Sequence, residues 1–180
     1  VLGPPPTSGT RDAFAELAMD GGCKKYPFIK AMKKKDKSAY KAICHTVRED
    51  GAYVESGEND NLIVQKLTKN PAALGIFGFS FLEENSSKVH GSLVEGIAPA
   101  FDSIADKSYP ISRPLYFYVQ KNHVGVIPGI ESYVAEFTQE STRSKNDYLA
   151  VRGMIPLSDN VHTKYSANAK ALVEMKISDF

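Results

Sequence analysis

The residues best equipped for chemistry lie near the start of the chain, in the run TSGTR at residues 7–11. The hydroxyls of Ser8 and Thr10, the Gly9 N–H and the first N–H groups of the helix predicted to follow are closely spaced hydrogen-bond donors. Glycine at position 9 also lets another group approach the backbone. Donors arranged in this way either cap the helix or hold a small oxyanion, and the residues alone leave both possibilities open.

Positive charge for an oxyanion could come from either of two arginines. Arg11 ends the donor run and Arg48 lies further along the chain, and each guanidinium could pair with two oxygens at once. A second loop-to-helix junction follows at residues 57–62, where Asp60 and Asn61 are predicted to cap a helix. This junction again presents polar side chains and unbonded N–H groups.

Catalytic chemistry has little support in the sequence. Ser8 does not lie in a GxSxG elbow, the stretch from Gly3 to Gly9 is not followed by the lysine of a GxxxxGK[ST] phosphate loop, and no GxGxxG follows a predicted strand. The adjacent acids Glu83 and Glu84 are predicted to face solvent. We therefore predict a binding protein and not an enzyme.

Metal and thiol chemistry is also weakly supported. The four histidines are scattered, and the two cysteines, Cys23 and Cys44, form no CxxC pair. We predict neither a metal site nor a cofactor. The composition is compatible both with two free buried thiols and with a Cys23–Cys44 disulfide, which would contribute about 3 kcal/mol in the chain-entropy description.

The overall charge argues against nucleic acid as a partner. The net charge is +1, and no apolar run reaches the length of a membrane span. Seven lysines nevertheless crowd the stretch KKYPFIKAMKKKDK at residues 24–37. This pattern favours a solvated helix face, with Phe28, Ile29 and Met32 turned inward, over a phosphate-backbone patch.

The pattern of apolar residues predicts an alternation of helices and strands. Strands are expected at residues 73–79, 92–97 and 112–120, which are short and rich in apolar, β-branched or aromatic residues. Gly21 and Gly22 are expected to end the first helix. The order of elements predicts an α/β fold. Helices are expected at about residues 10–20, 24–37, 37–47, 60–70, 98–109, 130–137 and 147–151, with a weakly helical tail.

Four ordered stretches covering most of the chain carry a resemblance to a known family. They are PTSGTRDAF, GENDNLIVQKLTKNPAALGIFGFSFLEEN, IAPAFDSIADKSYPISRPLYFYV and the ending YVAEFTQES…GMIPL. Together they resemble the phosphate-binding proteins of phosphate ABC transporters, which are type II periplasmic binding proteins. The resemblance implies α/β lobes hinged like a clam, each a mixed sheet flanked by helices, with phosphate in the cleft.

The resemblance also implies roles for parts of the chain. Residues 1–108 would form the second lobe, which carries the anion loop, and residues 109–180 would form a hinge-crossing strand and the C-terminal part of the first lobe. The residues expected to bind phosphate share hydroxyls, amides or charge near the two helix starts. They are Thr7, Ser8, Gly9, Thr10, Arg11, Arg48, Asp60 and Asn61.

The function implied is that of a periplasmic solute-binding protein, monomeric in full-length form, that delivers inorganic phosphate to an ABC transporter permease. Another oxyanion such as sulfate or molybdate is an alternative, as is a non-binding structural, adhesion or signalling role on the same scaffold. Because the periplasm is oxidising, this setting favours the Cys23–Cys44 disulfide over free thiols.

The chain departs from the family pattern in two places. Many members have arginine and aspartate just ahead of the serine-glycine-threonine loop, where this chain has Pro4 to Pro6. Members also typically carry roughly a hundred residues before this loop, which supply further phosphate contacts. The resemblance therefore implies that the N-terminal part of the first lobe is missing, and we expect these 180 residues alone to bind phosphate weakly.

Overall fold

The computed structural model of the chain describes residues 1–143 and 147–176, and it divides into two compact units. Unit 1 comprises Val1–Ser103 and Lys107–Arg113, and unit 2 comprises Ile104–Asp106 and Pro114–Phe180. The assignment of residues 1–108 and 109–180 to two lobes stays a prediction.

The chain begins with a short strand that leads into a long helical run. Strand β1 (Leu2–Gly3) is followed by α1 (Gly9–Ala13), a π-helical stretch (Phe14–Met19) and α2 (Asp20–Cys23). We call residues 9–23 the first helical run. The predicted stop at Gly21 and Gly22 is wrong, because the helix passes through both glycines, and the side chains of its final turn are anchored against other elements.

Two further helices pack as a hairpin after the first helical run. They are α3 (Pro27–Lys35) and α4 (Lys37–Cys44), and the Asp36 carboxylate between them caps α4 by accepting the Ala39 N–H at 2.9 Å. The Cys23–Cys44 disulfide closes the hairpin onto the end of α2, which confirms the predicted cross-link. The prediction that Phe28 turns inward is wrong, because α3 buries its Ile29 and Met32 side in part and leaves Phe28 exposed.

Unit 1 contains a small parallel sheet. Strand β2 (Val54–Glu55) pairs with β1 in parallel, with Leu2 opposite Val54 and Gly3 opposite Glu55. On the other side of β1, a single parallel bridge joins Leu2 to Gly75. The strand predicted at residues 73–79 is thus reduced to this bridge, but parallel segments flanked by helices confirm the α/β class.

Two further helices of unit 1 follow its outer sheet segments along the chain. They are α5 (Asp60–Lys69), after β2, and α6 (Phe79–Glu84), after the bridge at Gly75. The later α7 (Phe101–Ala105) has its first three residues in unit 1 and its last two in unit 2. The strand predicted at residues 92–97 is wrong, because Val94 and Ile97 bridge to each other across a turn. The buried side chains of unit 1 include Pro4, Ala15, Tyr40, Cys44, Ile63 and Val64.

Unit 2 is helical in the part that the structure describes. Helix α8 (Ile130–Phe137) matches its prediction and buries Val134, and the rings of Tyr133 and Phe137 pack on Phe117. The strand predicted at residues 112–120 is wrong, because the described residues offer it no strand to pair with. The other elements are two 3₁₀ turns (Lys121–His123 and Glu140–Arg143), α9 (Tyr148–Val151) and α10 (Asp159–Lys170).

Candidate anion-binding site

Three helices of unit 1 begin just beyond the carboxyl ends of the three parallel segments. β1 leads into α1, whose N-cap is Ser8; β2 leads into α5, whose N-cap is Asn59; and the bridge at Gly75 leads into α6, whose N-cap is Gly78. Because the carboxyl ends of parallel strands share one edge of a sheet, the three helix starts lie along that edge, a common location for ligands.

Hydrogen bonds between the connecting loops confirm that these helix starts are neighbours. The Thr7 hydroxyl donates to the Glu58 carboxylate at 2.5 Å, which joins the loop before α1 to the loop before α5. The Gly78 N–H donates to the Asp60 carboxylate at 3.1 Å, which joins the start of α6 to the start of α5. The junctions before α1 and α5 are about fifty residues apart in the sequence, and they are neighbours in the folded chain.

The start of α1 keeps at least two hydrogen-bond donors unused. The Ser8 hydroxyl oxygen accepts the Thr10 N–H at 3.2 Å, as expected for an N-cap residue, and the Ser8 carbonyl accepts the N–H groups of Arg11 and Asp12. Within the residues that the structure describes, the Gly9 N–H and the Thr10 hydroxyl donate to no protein acceptor. Gly9 itself is exposed, so this pair of donors is open to a ligand.

Arg11 follows the loop directly, but its guanidinium points back into unit 1. It donates to the Pro4 carbonyl at 3.3 Å, and its Cζ lies 4.4 Å from the centre of the Tyr53 ring. Its side chain is only 15% exposed, and Glu55 lies 4.0 Å away. Through these contacts Arg11 links Pro4 to Tyr53 and Glu55 at β2.

Arg48 is committed to a different partner. Its guanidinium pairs with the Asp50 carboxylate through both Nε and Nη2, and the two side chains are largely exposed. This pairing raises the pKa of Arg48 and lowers the pKa of Asp50. Among the described residues, Arg48 makes no hydrogen bond or ion pair with residues 7–11.

A third arginine, which sequence reasoning missed, lies at the loop. Arg113 donates from Nη2 to the Gly9 carbonyl at 3.1 Å and from Nη1 to the Glu16 carboxylate at 3.2 Å. These contacts span 104 and 97 residues of sequence, and no local motif signals them. The one available clue was the presence of a cation within the third resembling stretch, just before Pro114.

The second junction differs from its prediction in which residue caps the helix. The Asn59 side chain, and not Asp60 or Asn61, is the cap, since it accepts the Asn61 N–H at 3.0 Å. Asp60 is therefore the first helical residue, with a buried carboxylate, whereas Asn61 is exposed. Burial raises the pKa of Asp60, and the hydrogen bond from the Gly78 N–H opposes this only in part.

Other kinds of site are not evident in the part of the chain that the structure describes. No group of three or more histidine, cysteine, aspartate or glutamate side chains is placed to hold a metal ion. None of the described helices combines the length and apolar character needed to cross a bilayer. A cavity of about 510 Å³ in unit 2 is lined mainly by apolar and aromatic groups, including Phe117, Ile130 and Tyr133.

Comparison with known proteins identifies the family. A family model described as a PBP superfamily domain matches residues 1–141. The phosphate-binding protein PstS of Staphylococcus saprophyticus is 28% identical over 149 residues, which cover 80% of this chain and 38% of that protein. The protein SphX of Synechococcus elongatus is 25% identical over 114 residues, which cover 60% of this chain and 32% of that protein.

A shorter match gives higher identity. The phosphate-binding protein PstS of Staphylococcus aureus is 33% identical over 72 residues, covering 37% of this chain and 22% of that protein. The chain thus spans well under half the length of these relatives. No solved structure matches the chain significantly. The resemblance drawn from the four sequence stretches is confirmed at the level of the family.

Proposed function

The chain belongs to the PBP superfamily, and we propose that it binds inorganic phosphate at the loop before α1. The observation that carries the proposal is the pair of unused donors, the Gly9 N–H and the Thr10 hydroxyl, at an exposed helix start. Tetrahedral oxyanions need several such donors, and a helix N-terminus adds a favourable partial charge. Two of the relatives named above are phosphate-binding proteins.

We propose Arg113 as the cation that pairs with the anion. Its guanidinium is held beside the loop by both the Gly9 carbonyl and the Glu16 carboxylate, and its side chain is 39% exposed, so its remaining N–H groups can reach a ligand there without giving up either contact. Arg11 and Arg48 were the two expected from the sequence. Each of them would first have to give up the contacts with Tyr53 or Asp50 described above.

Asp60 is the proposed acceptor for a phosphate proton. Protonated phosphate differs from sulfate by carrying a donor, and a site with a fixed acceptor discriminates between the two strongly. The Asp60 carboxylate is buried at the same sheet edge, and the Gly78 N–H orients it. Thr7, Ser8 and Asn61 complete the proposed set, as polar residues of the two loops.

In its wider role, the protein is proposed to be a non-enzymatic, extracytoplasmic solute-binding protein that hands phosphate to an ABC transporter permease. This role rests on the family and on the names of the relatives. Sulfate or molybdate is the alternative ligand. A scaffold role without a ligand is the alternative outside this class.

The experiment is a phosphate titration of the ¹⁵N-labelled chain followed by NMR, which detects binding even at millimolar affinity. We expect the Gly9 and Thr10 amide resonances to move, with larger shifts for phosphate than for sulfate. Thr10→Val should weaken binding about tenfold, since it removes one hydrogen bond to a charged ligand. Arg113→Gln should weaken binding at least as much.

Arg48→Gln is the matched control, because it removes the same charge from a side chain that pairs elsewhere. Equal losses in Arg113→Gln and Arg48→Gln would contradict the assignment of the cation. Unmoved Gly9 and Thr10 resonances at saturating phosphate would contradict the site itself. Calorimetry that gives submicromolar affinity for these 180 residues would contradict the expectation of weak binding.

A further inference from the structure

The hairpin of α3 and α4 concentrates the positive charge of this protein. Between residues 24 and 44 the chain has eight lysines and one acidic residue, Asp36. We call this segment the basic hairpin. The whole chain has 22 basic and 21 acidic residues, so the remainder carries an acidic excess. The near-neutral total, which argued against a charged partner, therefore conceals a strongly uneven distribution.

Most of this charge is not neutralised within the protein. Three lysines have acidic partners: Lys24 and Lys33 lie 2.5 Å and 3.5 Å from Asp20, and Lys25 lies 2.8 Å from Glu95. The other five are exposed, and the described residues give them no acidic partner. These five are Lys30, Lys34, Lys35, Lys37 and Lys41.

Two aromatic side chains at the start of the same hairpin are also exposed. Phe28 is 70% exposed and Tyr26 is 57% exposed, and their rings make an edge-on pair with centres 6.1 Å apart. Phe28 and Lys35 are seven residues apart on α3, so both lie on one side of the helix. An exposed phenylalanine on a lysine-rich helix is unfavourable in water alone and favourable at a surface that offers both apolar and anionic groups.

The basic hairpin is held in a fixed shape on unit 1. The Cys23–Cys44 disulfide brackets it, and the buried Tyr40 hydroxyl fastens α4 to Asp20 at 2.6 Å. The aromatic pair and the lysines are therefore presented together before any partner arrives. The disulfide also fits the extracytoplasmic, oxidising compartment proposed above, where cytosolic nucleic acid is not available as a partner.

We propose that the basic hairpin docks on an anionic lipid bilayer. Lys30, Lys34, Lys35, Lys37 and Lys41 face the lipid phosphates, while Phe28 and Tyr26 enter the zone between headgroups and acyl chains. Each lysine near such a surface strengthens binding about fivefold, and the attraction fades within a Debye length. This contact is independent of the proposed phosphate site, since it uses none of residues 7–11.

Cosedimentation with lipid vesicles tests the proposal on the full chain. We expect binding to vesicles of equal parts phosphatidylglycerol and phosphatidylcholine, and none to phosphatidylcholine alone. Binding should fall steeply at high salt. The triple variant Lys30→Gln, Lys34→Gln, Lys35→Gln should bind about a hundredfold more weakly, and Phe28→Ser about tenfold more weakly.

The matched control is Lys69→Gln, Lys88→Gln, Lys164→Gln, which removes the same charge from exposed lysines outside the hairpin. Circular dichroism checks that every variant keeps the helical content of the parent. The proposal is overturned if the two triple variants lose binding equally, or if anionic vesicles do not bind. Tighter binding to a single-stranded oligonucleotide or to polyglutamate than to vesicles would also overturn it.

Discussion

The Tyr40 hydroxyl donates a 2.6 Å hydrogen bond to the Asp20 carboxylate, and both side chains are buried. The same carboxylate lies 2.5 Å from Lys24, 3.5 Å from Lys33 and 3.4 Å from His45. Burial alone would raise the pKa of Asp20, but the hydrogen bonds from Lys24 and Tyr40 and the charges of both lysines hold it well below its usual range. The Asp20 carboxylate of α2 therefore makes contacts with both α3 and α4.

Replacing Tyr40 tests this interaction. Tyr40→Phe removes the hydroxyl and leaves a buried carboxylate short of one donor, so we expect the urea midpoint of unfolding to fall by about 1 M. Tyr26→Phe is the control, because the described structure gives the exposed Tyr26 hydroxyl no hydrogen bond. Similar midpoints for the two variants would contradict the role given to Tyr40.

The same hydrogen bond predicts how stability depends on alkaline pH. It is the main cause that raises the pKa of Tyr40 to about 12, with burial and the Asp20 charge adding to it. A raised pKa means that the stabilisation is complete below the ordinary value of 10.0 and is lost as the pH rises towards 12. The urea midpoints of the parent and of Tyr40→Phe, measured at several values between pH 9 and pH 12, should therefore approach each other as the pH rises. A difference between the two midpoints that stays constant up to pH 12 would contradict this assignment.

Two glycines should respond to alanine in opposite ways. A Cβ at Gly3 would lie 2.2 Å from the Tyr53 hydroxyl oxygen, and that hydroxyl donates to the Pro4 carbonyl at 2.7 Å. Gly3→Ala must displace the ring, so we expect a loss of about 1–3 kcal/mol. Gly21 is helical, and a Cβ there meets nothing within 4 Å, so Gly21→Ala should gain about 0.5–1 kcal/mol. Urea denaturation of both variants measures the pair, and equal signs would contradict the packing described.

The disulfide should make stability depend on reductant. A thiol assay on the unfolded, unreduced protein should find no free sulfhydryl at Cys23 or Cys44, and reduction should release two. Reduction should lower the free energy of unfolding by about 3 kcal/mol, because the unfolded chain gains freedom. The double variant Cys23→Ser, Cys44→Ser should have the stability of the reduced parent, and its stability should not change when reductant is added. A parent protein whose stability does not change on reduction would contradict the cross-link.

Local sequence signals predicted the helices well and the strands poorly. The capping hydroxyl of Ser8, the stop at Asn70-Pro71 and the helical spacing of Ile130, Val134 and Phe137 are local features, and the helix start, the helix end and the helix that they predict are observed. A strand depends on a neighbour that the sequence does not reveal. Residues 112–120 have strand-like composition, yet the described residues provide no partner for them.

The candidate site was predictable only where its residues are adjacent in sequence. The donor run at residues 7–11 and the buried Asp60 belong to recognisable helix starts. Arg113 contacts Gly9 from 104 residues away, and such contacts depend on the whole fold. Arg11 and Arg48 had the right chemistry, but nearby acceptors within the protein, which spacing does not reveal, engage both side chains.

The Cα atoms of Cys23 and Cys44 lie 6.0 Å apart, although twenty residues separate them. The chain thus leaves the first helical run and returns to nearly the same point, a gap that two peptide links could span. Insertions or deletions within this excursion need not change the distance between its two ends. Relatives can therefore differ in hairpin length, or exchange one hairpin for another, while the strands that lead into α1 and α5 keep their spacing.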